Sequence, residues 1–136
     1  MIPATFEYHA PSTVREAVTL LRKLGPDAKL LAGGHSLIPA MKLRLTQPKH
    51  LIDLGRISGL SYVREEGGNL VIGAMTTYYT IQSSPIVQSR LPALAEAIDQ
   101  IADVQVRNKG TIGGSLAHAD PAADLPALML ALEASL

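Results

Sequence analysis

Apolar residues between positions 11 and 26 recur at the three- and four-residue intervals of an amphipathic helix. Thr13 and Glu16 have the spacing of a capping box, in which each side chain accepts a hydrogen bond from a backbone N–H of the first turn. Gly25 and Pro26 then end the helix. The apolar pattern predicts a buried stripe comprising Val14, Ala17, Val18, Leu21 and Leu24.

Short apolar runs on both sides of this helix have the length and composition of strands. They are Thr5–Tyr8, Ala28–Leu31 and His50–Leu54. Strands alternating with a helix favour a compact α+β unit. We therefore expect residues 1–56 to form a first α+β lobe.

The pattern changes after Gly55–Gly59, where β-prone runs flank a glycine pair and predict a hairpin. An isolated hairpin is marginal in water, so further strands are expected. Residues 57–136 are accordingly interpreted as the N-terminal part of a second α+β lobe, and the chain as a fragment that ends early. The predicted elements are hairpin strands Leu60–Arg64 and Asn69–Gly73 and helices beginning at Thr76 or Thr77, at Pro92 and at about Asp124.

Two double-glycine segments carry the clearest chemical signal. They are Ala32-Gly33-Gly34-His35-Ser36 and Thr111-Ile112-Gly113-Gly114-Ser115. Glycine has no Cβ, so the backbone can approach a ligand closely. Successive N–H groups in such a turn form an anion-binding concavity. The pair of segments predicts one extended anionic ligand held from two sides.

The first segment has a favourable context for phosphate. It follows the predicted strand Ala28–Leu31 and precedes a short predicted helix, Leu37–Leu43. Ser36 is a suitable N-cap, and Pro39 falls in the first turn, where its missing N–H costs little. The positive end of a helix dipole attracts phosphate, so this arrangement favours a phosphate-containing ligand.

Composition excludes several classes of protein. Among 136 residues, 47% are hydrophobic and 18% are charged, which is typical of a globular chain. The 12 basic and 12 acidic residues give no basic excess, so no nucleic-acid partner is expected. The absence of cysteine excludes disulfides, iron–sulfur ligation and thiol nucleophiles. Redox chemistry in this chain would need a cofactor that cysteine does not hold.

No targeting or membrane segment is expected. The first residues lack the basic start and apolar run of a signal peptide. No apolar run approaches the roughly 18–20 residues that span a bilayer. The sequence therefore predicts no transmembrane segment and a cytoplasmic location.

The histidines do not predict a metal site. His35 and His118 have no second ligand at helical or strand spacing. We expect His35 to contribute its backbone to the first glycine turn. His9 and His50 are interpreted as ordinary surface or loop residues.

Two carboxylates near the second glycine segment admit different interpretations. Asp120 precedes Pro121 and is expected to cap a turn. Asp124 is placed equally well as an acceptor for a ribose hydroxyl or as a simple cap of the last helix. Acid–base catalysis by the pair is not expected.

The glycine segments and their flanks resemble the FAD-binding medium subunit of the molybdenum hydroxylase, or xanthine dehydrogenase, family. The resemblance covers the whole chain and rests on Phe6-Glu7-Tyr8 with Pro11, Ala32–Pro39, Ile72–Ala74 and Arg107–Pro126. Ser115 stands where xanthine dehydrogenase relatives often have asparagine, which favours the aerobic carbon monoxide dehydrogenase branch.

This resemblance implies a two-lobed α+β FAD-binding domain of the vanillyl-alcohol-oxidase (PCMH) type. It implies that FAD lies between the lobes, that both glycine segments bind the pyrophosphate, and that no residue of this chain is catalytic. Weaker contacts are implied for Ala74, Ala102 and His118. The implied cofactor-binding residues are Ala32, Gly33, Gly34, His35, Ser36, Thr111, Ile112, Gly113, Gly114, Ser115 and, toward the adenosine, Asp124.

The resemblance also implies an oxidoreductase complex. In the family, electrons pass from iron–sulfur clusters through FAD to an external acceptor, and the partners are a molybdenum-binding large subunit and a [2Fe-2S] small subunit. Two alternatives remain open: a stand-alone flavin oxidoreductase of the same fold, and a non-enzymatic nucleotide-binding module. The substrate is chosen in the large subunit and is not predicted.

Overall fold

A computed structural model describes residues 1–136, which divide into the units Met1–Gly59 and Leu60–Leu136. The division falls beside the predicted change of pattern at Gly55–Gly59. Helices and strands occur in both units.

The first unit is built on a three-stranded parallel sheet. Its strands are β1 (Glu7–His9), β2 (Ala28–Leu31) and β3 (His50–Asp53), in the order β1-β3-β2. Helix α1 (Val14–Leu24) and a single 3-10 turn, Gly25–Asp27, connect β1 to β2. Helix α2 (Leu37–Lys42) lies between β2 and β3. The strand–helix–strand arrangement expected from the apolar pattern is therefore present, with β2 at its predicted bounds.

The predicted capping box at the start of α1 is present. The Thr13 side chain accepts a hydrogen bond from the Glu16 N–H at 3.2 Å, and the Glu16 carboxylate accepts from the Thr13 N–H at 3.3 Å. The same carboxylate accepts from the N–H and hydroxyl of Ser12. Hydrogen bonds from the Ser12 N–H and hydroxyl, followed by those of Thr13, lower the pKa of Glu16.

The predicted stripe of α1 is only partly buried. Ala17 is buried, whereas Val14 and Val18 are 50% and 40% exposed. Helix α1 packs against β2 and β3. The strands have only four residues each, whereas the helix has eleven, and parts of its apolar face stay exposed.

The second unit begins with an antiparallel hairpin and continues as helices. Val63 pairs with Ile72 and Glu66 with Asn69 across the hairpin, and Gly67 and Gly68 make the turn with positive φ. The hairpin expected from the sequence is thus present, with its first strand starting three residues later. The elements of the second unit are β4 (Val63–Glu66), β5 (Asn69–Ile72), α3 (Tyr78–Ser83), α4 (Pro85–Arg90), α5 (Pro92–Asp99), α6 (Val104–Arg107), α7 (Ile112–His118) and α8 (Asp124–Ala131).

The core of the second unit lies among its helices. Ile81, Val87, Leu94 and Ile98 are almost completely buried and come from α3, α4 and α5. Tyr78 of α3 also belongs to this cluster, and Ile112 and Leu125 extend it to α7 and α8. None of the helices in either unit is both long enough and apolar enough to cross a membrane.

Candidate functional site

The first glycine segment, Ala32–Ser36, joins the end of β2 to the start of α2. Gly34 has φ +77°, a conformation that side-chain-bearing residues rarely adopt. A Cβ at Gly34 would lie 3.0 Å from Ile38 Cδ1 and 3.2 Å from Leu31 Cδ1. The tight connection between strand and helix therefore requires glycine at position 34.

Consecutive backbone N–H groups of this segment have no acceptor within the chain. The hydrogen bonds on either side are made: the Leu54 N–H donates to the Leu31 carbonyl, and the Ile38 N–H donates to the Gly34 carbonyl, both at 2.9 Å. The N–H groups that donate to no other residue include those of Gly33, Gly34, His35 and Ser36. His35 and Ser36 are exposed and the two glycines are partly exposed, so these donors are available to a ligand.

The side chains of this segment have different roles. A ring nitrogen of His35, Nδ1, lies 2.9 Å from the Gly33 carbonyl oxygen and holds the turn. Ser36 precedes α2 as predicted, but its φ of −106° and ψ of −47° are helical, and its hydroxyl makes no capping bond. The Ser36 side chain is therefore free to contact a ligand.

The second glycine segment is a helix start, and the turn expected from the sequence is not formed there. Thr111 is the N-cap of α7, and the two glycines lie in the first turn of that helix. The physical reason is the Thr111 hydroxyl oxygen, which accepts a hydrogen bond from the Gly114 N–H at 3.1 Å. Threonine is a favoured N-cap because it satisfies a donor of this kind.

The backbone donors of the second segment are used inside the protein. The Ile112 N–H donates to the Thr76 carbonyl at 3.1 Å, and the Gly113 N–H donates to the Ala74 carbonyl at 2.9 Å. The Gly114 N–H is bonded to the Thr111 side chain. Backbone N–H groups without an acceptor are therefore present in the first segment, whereas those of Ile112, Gly113 and Gly114 in the second segment are all bonded.

Close packing explains one glycine of the second segment. A Cβ at Gly113 would lie 2.6 Å from both the Cβ and the carbonyl oxygen of Ala74. Because the loop after β5 approaches so closely, position 113 requires glycine. Ser115 remains partly exposed, and its hydroxyl is a group that a ligand can reach.

Thr76 anchors the second segment and was missed by sequence reasoning. Its side chain is completely buried, donates to the Tyr62 carbonyl at 3.0 Å and accepts from the Tyr62 N–H at 2.9 Å. Its carbonyl then holds Ile112. The sequence carries no signal for these contacts, because they join residues far apart in the chain.

The two carboxylates that follow α7, Asp120 and Asp124, have different surroundings. The Asp120 side chain accepts a hydrogen bond from the Ala122 N–H at 2.9 Å, as expected of a residue that stabilises a turn. Asp124 is the exposed first residue of α8. Its contact with the adenosine of FAD stays a prediction, as do the other cofactor contacts of both glycine segments.

Comparison with known proteins gives the family. Residues 4–136 match the family described as the FAD binding domain in molybdopterin dehydrogenase. The chain is 65% identical over 134 residues to the carbon monoxide dehydrogenase medium chain of Hydrogenophaga pseudoflava, covering 98% of this chain and 47% of that protein. It is 41% identical over 136 residues to the glyceraldehyde dehydrogenase medium chain of Sulfolobus acidocaldarius, covering 48% of that protein.

A solved structure gives the same result. Carbon monoxide dehydrogenase from Hydrogenophaga pseudoflava matches with a TM-score of 0.95 and 66% identity, over 96% of this chain and 46% of the other. This chain therefore spans about half the length of the relatives it matches. The predicted family membership is confirmed, as are the α+β fold class of the PCMH type and FAD as the cofactor of the family. The chain belongs to the FAD-binding domains of the molybdopterin dehydrogenase family.

Proposed function

We propose that the free N–H groups of Gly33, Gly34, His35 and Ser36 bind the pyrophosphate of FAD. The observation that carries this proposal is the set of consecutive exposed donors without acceptors, in a chain of an FAD-binding family. Backbone donors that converge on one point form a site for an anion. Such groups fit the two charged phosphates of a dinucleotide, and α2 begins directly after them.

The second segment contributes by another route in this proposal. Because its N–H groups are bonded internally, the contacts left to it are the Ser115 hydroxyl and the surface of the two glycines. Asp124 accepts a hydrogen bond from a ribose hydroxyl. These assignments draw their support from the family resemblance and not from free backbone donors.

For the whole protein, we infer an oxidoreductase subunit in a hetero-oligomer with a molybdenum-binding large subunit and a [2Fe-2S] small subunit. Support comes from relatives that are named as medium chains or as subunits of dehydrogenase complexes. The chemistry that FAD supplies there is transfer of electrons from the iron–sulfur clusters to an external acceptor. This chain binds and orients the cofactor.

Substitution of Ser36 tests the binding proposal. Asp and Asn are equally good N-caps and have nearly the same size, so Ser36→Asp and Ser36→Asn form a matched pair. A carboxylate a few ångströms from the pyrophosphate is expected to weaken FAD binding about 100-fold, since like charges repel strongly near a protein surface. Affinity is measured by titration of the purified apoprotein with FAD, followed by flavin fluorescence.

The neutral variant Ser36→Asn is expected to bind FAD within a few-fold of the wild type. Equal affinity of both variants would contradict a phosphate contact at this turn. Binding of other dinucleotides as tightly as FAD would favour the nucleotide-binding module. Purification of the complex tests the remaining inference: the absence of both a molybdenum and an iron–sulfur subunit would favour a stand-alone flavoprotein.

A further inference from the structure

Three potential metal ligands meet on the sheet of the first unit. They are Glu7 and His9 of β1 and His50 of β3, whose ligand atoms all lie within 4.8 Å of one another. Glu7 Oε2 is 3.2 Å from His50 Nδ1 and 3.9 Å from His9 Nε2. The two ring nitrogens, His9 Nε2 and His50 Nδ1, are 3.2 Å apart.

The register of the parallel strands produces this cluster. Glu7 pairs with His50 across β1 and β3, and His9 lies two residues beyond Glu7 on the same face of β1. The neighbouring Tyr8 has the opposite orientation, and its hydroxyl donates to Asp53. The three ligand residues therefore share one face because of backbone pairing and not because of a flexible loop.

The spacing of the three atoms suits a tetrahedral ion. Bonds of about 2.0–2.1 Å at tetrahedral angles separate neighbouring ligand atoms by about 3.4 Å. Two of the three separations are 3.2 Å and the third is 3.9 Å. The two histidine side chains are only 25% and 20% exposed, whereas the Glu7 side chain is 74% exposed. The glutamate is thus free to adjust its position.

We propose that Glu7, His9 and His50 bind a divalent transition-metal ion, with Zn²⁺ as the probe. Two imidazoles and a carboxylate are a common ligand set for Zn²⁺. A bound ion would join β1 to β3 and stabilise the first unit. The alternative is a metal-free hydrogen-bonded cluster, in which one ring nitrogen donates to the other and zinc has no effect.

This site is separate from the glycine segments, so its test is independent of the proposed function. Isothermal titration of the purified, chelator-treated protein with Zn²⁺ is expected to show one saturable site. Co²⁺ as a substitute is expected to give the visible absorption of tetrahedral coordination. Zinc is also expected to raise the melting temperature, because a ligand that binds only the native state stabilises it.

Variants identify the ligands. His9→Ala and His50→Ala are each expected to weaken Zn²⁺ binding about tenfold or more, since even groups that only orient a ligand cost 10–100-fold. Glu7→Gln keeps the shape of the side chain and is expected to weaken zinc binding while leaving the metal-free melting temperature near that of the wild type. Glu96→Gln is the matched control for Glu7→Gln, because it removes an exposed carboxylate of the second unit and is expected to leave zinc binding unchanged.

Circular dichroism establishes that each variant is folded. Absence of saturable zinc binding to the folded wild type would overturn the proposal. So would equal zinc affinity of His50→Ala, Glu7→Gln and the wild type. Loss of zinc binding by a variant that keeps the circular dichroism spectrum of the wild type is the expected result, and it does not depend on whether the chain binds FAD.

Discussion

The two double-glycine segments are similar in sequence and opposite in backbone hydrogen bonding. Between β2 and α2, the N–H groups from Gly33 to Ser36 have no acceptor in the chain. At the start of α7, the N–H groups of Ile112, Gly113 and Gly114 all donate within the protein. The N-cap residues account for part of this difference. The Thr111 hydroxyl accepts a hydrogen bond from the Gly114 N–H, whereas the Ser36 side chain makes no capping bond. A glycine pair alone therefore does not identify an anion site.

The glycines themselves are required for different reasons. Gly34 supplies a positive φ in a tight connection, and Gly113 allows the backbone of Ala74 to approach. One residue of each pair thus has a structural role that is independent of any ligand. The cofactor contacts of the remaining two glycines, Gly33 and Gly114, stay a prediction.

Amide hydrogen exchange gives the largest expected contrast. In the absence of FAD, the amides of Ile112 and Gly113 are expected to exchange about a thousandfold more slowly than those from Gly33 to Ser36, because bonded amides need an opening of several kcal/mol. FAD is expected to slow exchange only in the first segment. Similar protection of both segments without ligand would contradict the comparison. Exchange is measured by NMR or mass spectrometry.

Alanine at the two structural glycines gives the next largest effect. Gly113→Ala is expected to destabilise the protein by about 3 kcal/mol, since the new Cβ meets backbone at 2.6 Å that cannot easily move. Gly34→Ala is expected to cost about 1–2 kcal/mol, mainly from its positive φ. Urea unfolding measures both. A larger loss for Gly34→Ala would show that packing against Ala74 is not the tighter constraint.

Removal of the two cap hydroxyls gives a smaller contrast. Thr111→Ala is expected to lower the free energy of unfolding by about 2 kcal/mol, because the Gly114 N–H loses its buried partner. Ser36→Ala is expected to change it by less than about 0.5 kcal/mol, since no capping bond is lost. Equal losses in thermal unfolding would show that the two helix starts are held alike.

Lowering the pH is expected to give the smallest effect on stability, and the effect concerns a third helix start, that of α1. Neither α2 nor α7 has an acidic residue in its first turn, but α1 has Glu16, whose pKa is lowered by hydrogen bonds from Ser12 and Thr13. A lowered pKa contributes stability above the unfolded value of about 4.5, and that stability is lost as the pH falls through the folded pKa. The stability difference between wild type and Glu16→Gln is therefore expected to shrink below this pH. A difference independent of pH would show that the capping box does not depend on the charge.

Local signals predicted part of the fold well. The bounds of β2 and the capping box of α1 follow from residues that are near neighbours in the chain. The helices α4 and α6 were missed, although Ser84-Pro85 and Asp103 mark their starts. Both are short, so their apolar residues do not repeat often enough to reveal a period.

The cofactor contacts of the candidate site rest on the family resemblance and stay predictions, whereas the backbone hydrogen bonding of the two glycine segments can be compared with the sequence-based expectation. The backbone N–H groups of the first segment lack acceptors in the chain, as expected from its place between a strand and a helix. The bonded state of the second segment depends on Ala74 and Thr76, more than thirty residues earlier in the chain. The approach of His9 to His50 likewise depends on strand pairing over 41 residues. Periodicity carries no information about such contacts.

The strand order β1-β3-β2 has a consequence for synthesis of the protein on the ribosome. The last strand of the sheet, His50–Asp53, lies in the middle, so neither β1 nor β2 has a pairing partner until that strand has emerged. The Leu54 N–H, which bonds to Leu31 just before the first glycine segment, arrives at the same moment. The first glycine segment therefore acquires its final backbone only after the helix that follows it has been made, and it is among the last parts of the first unit to form.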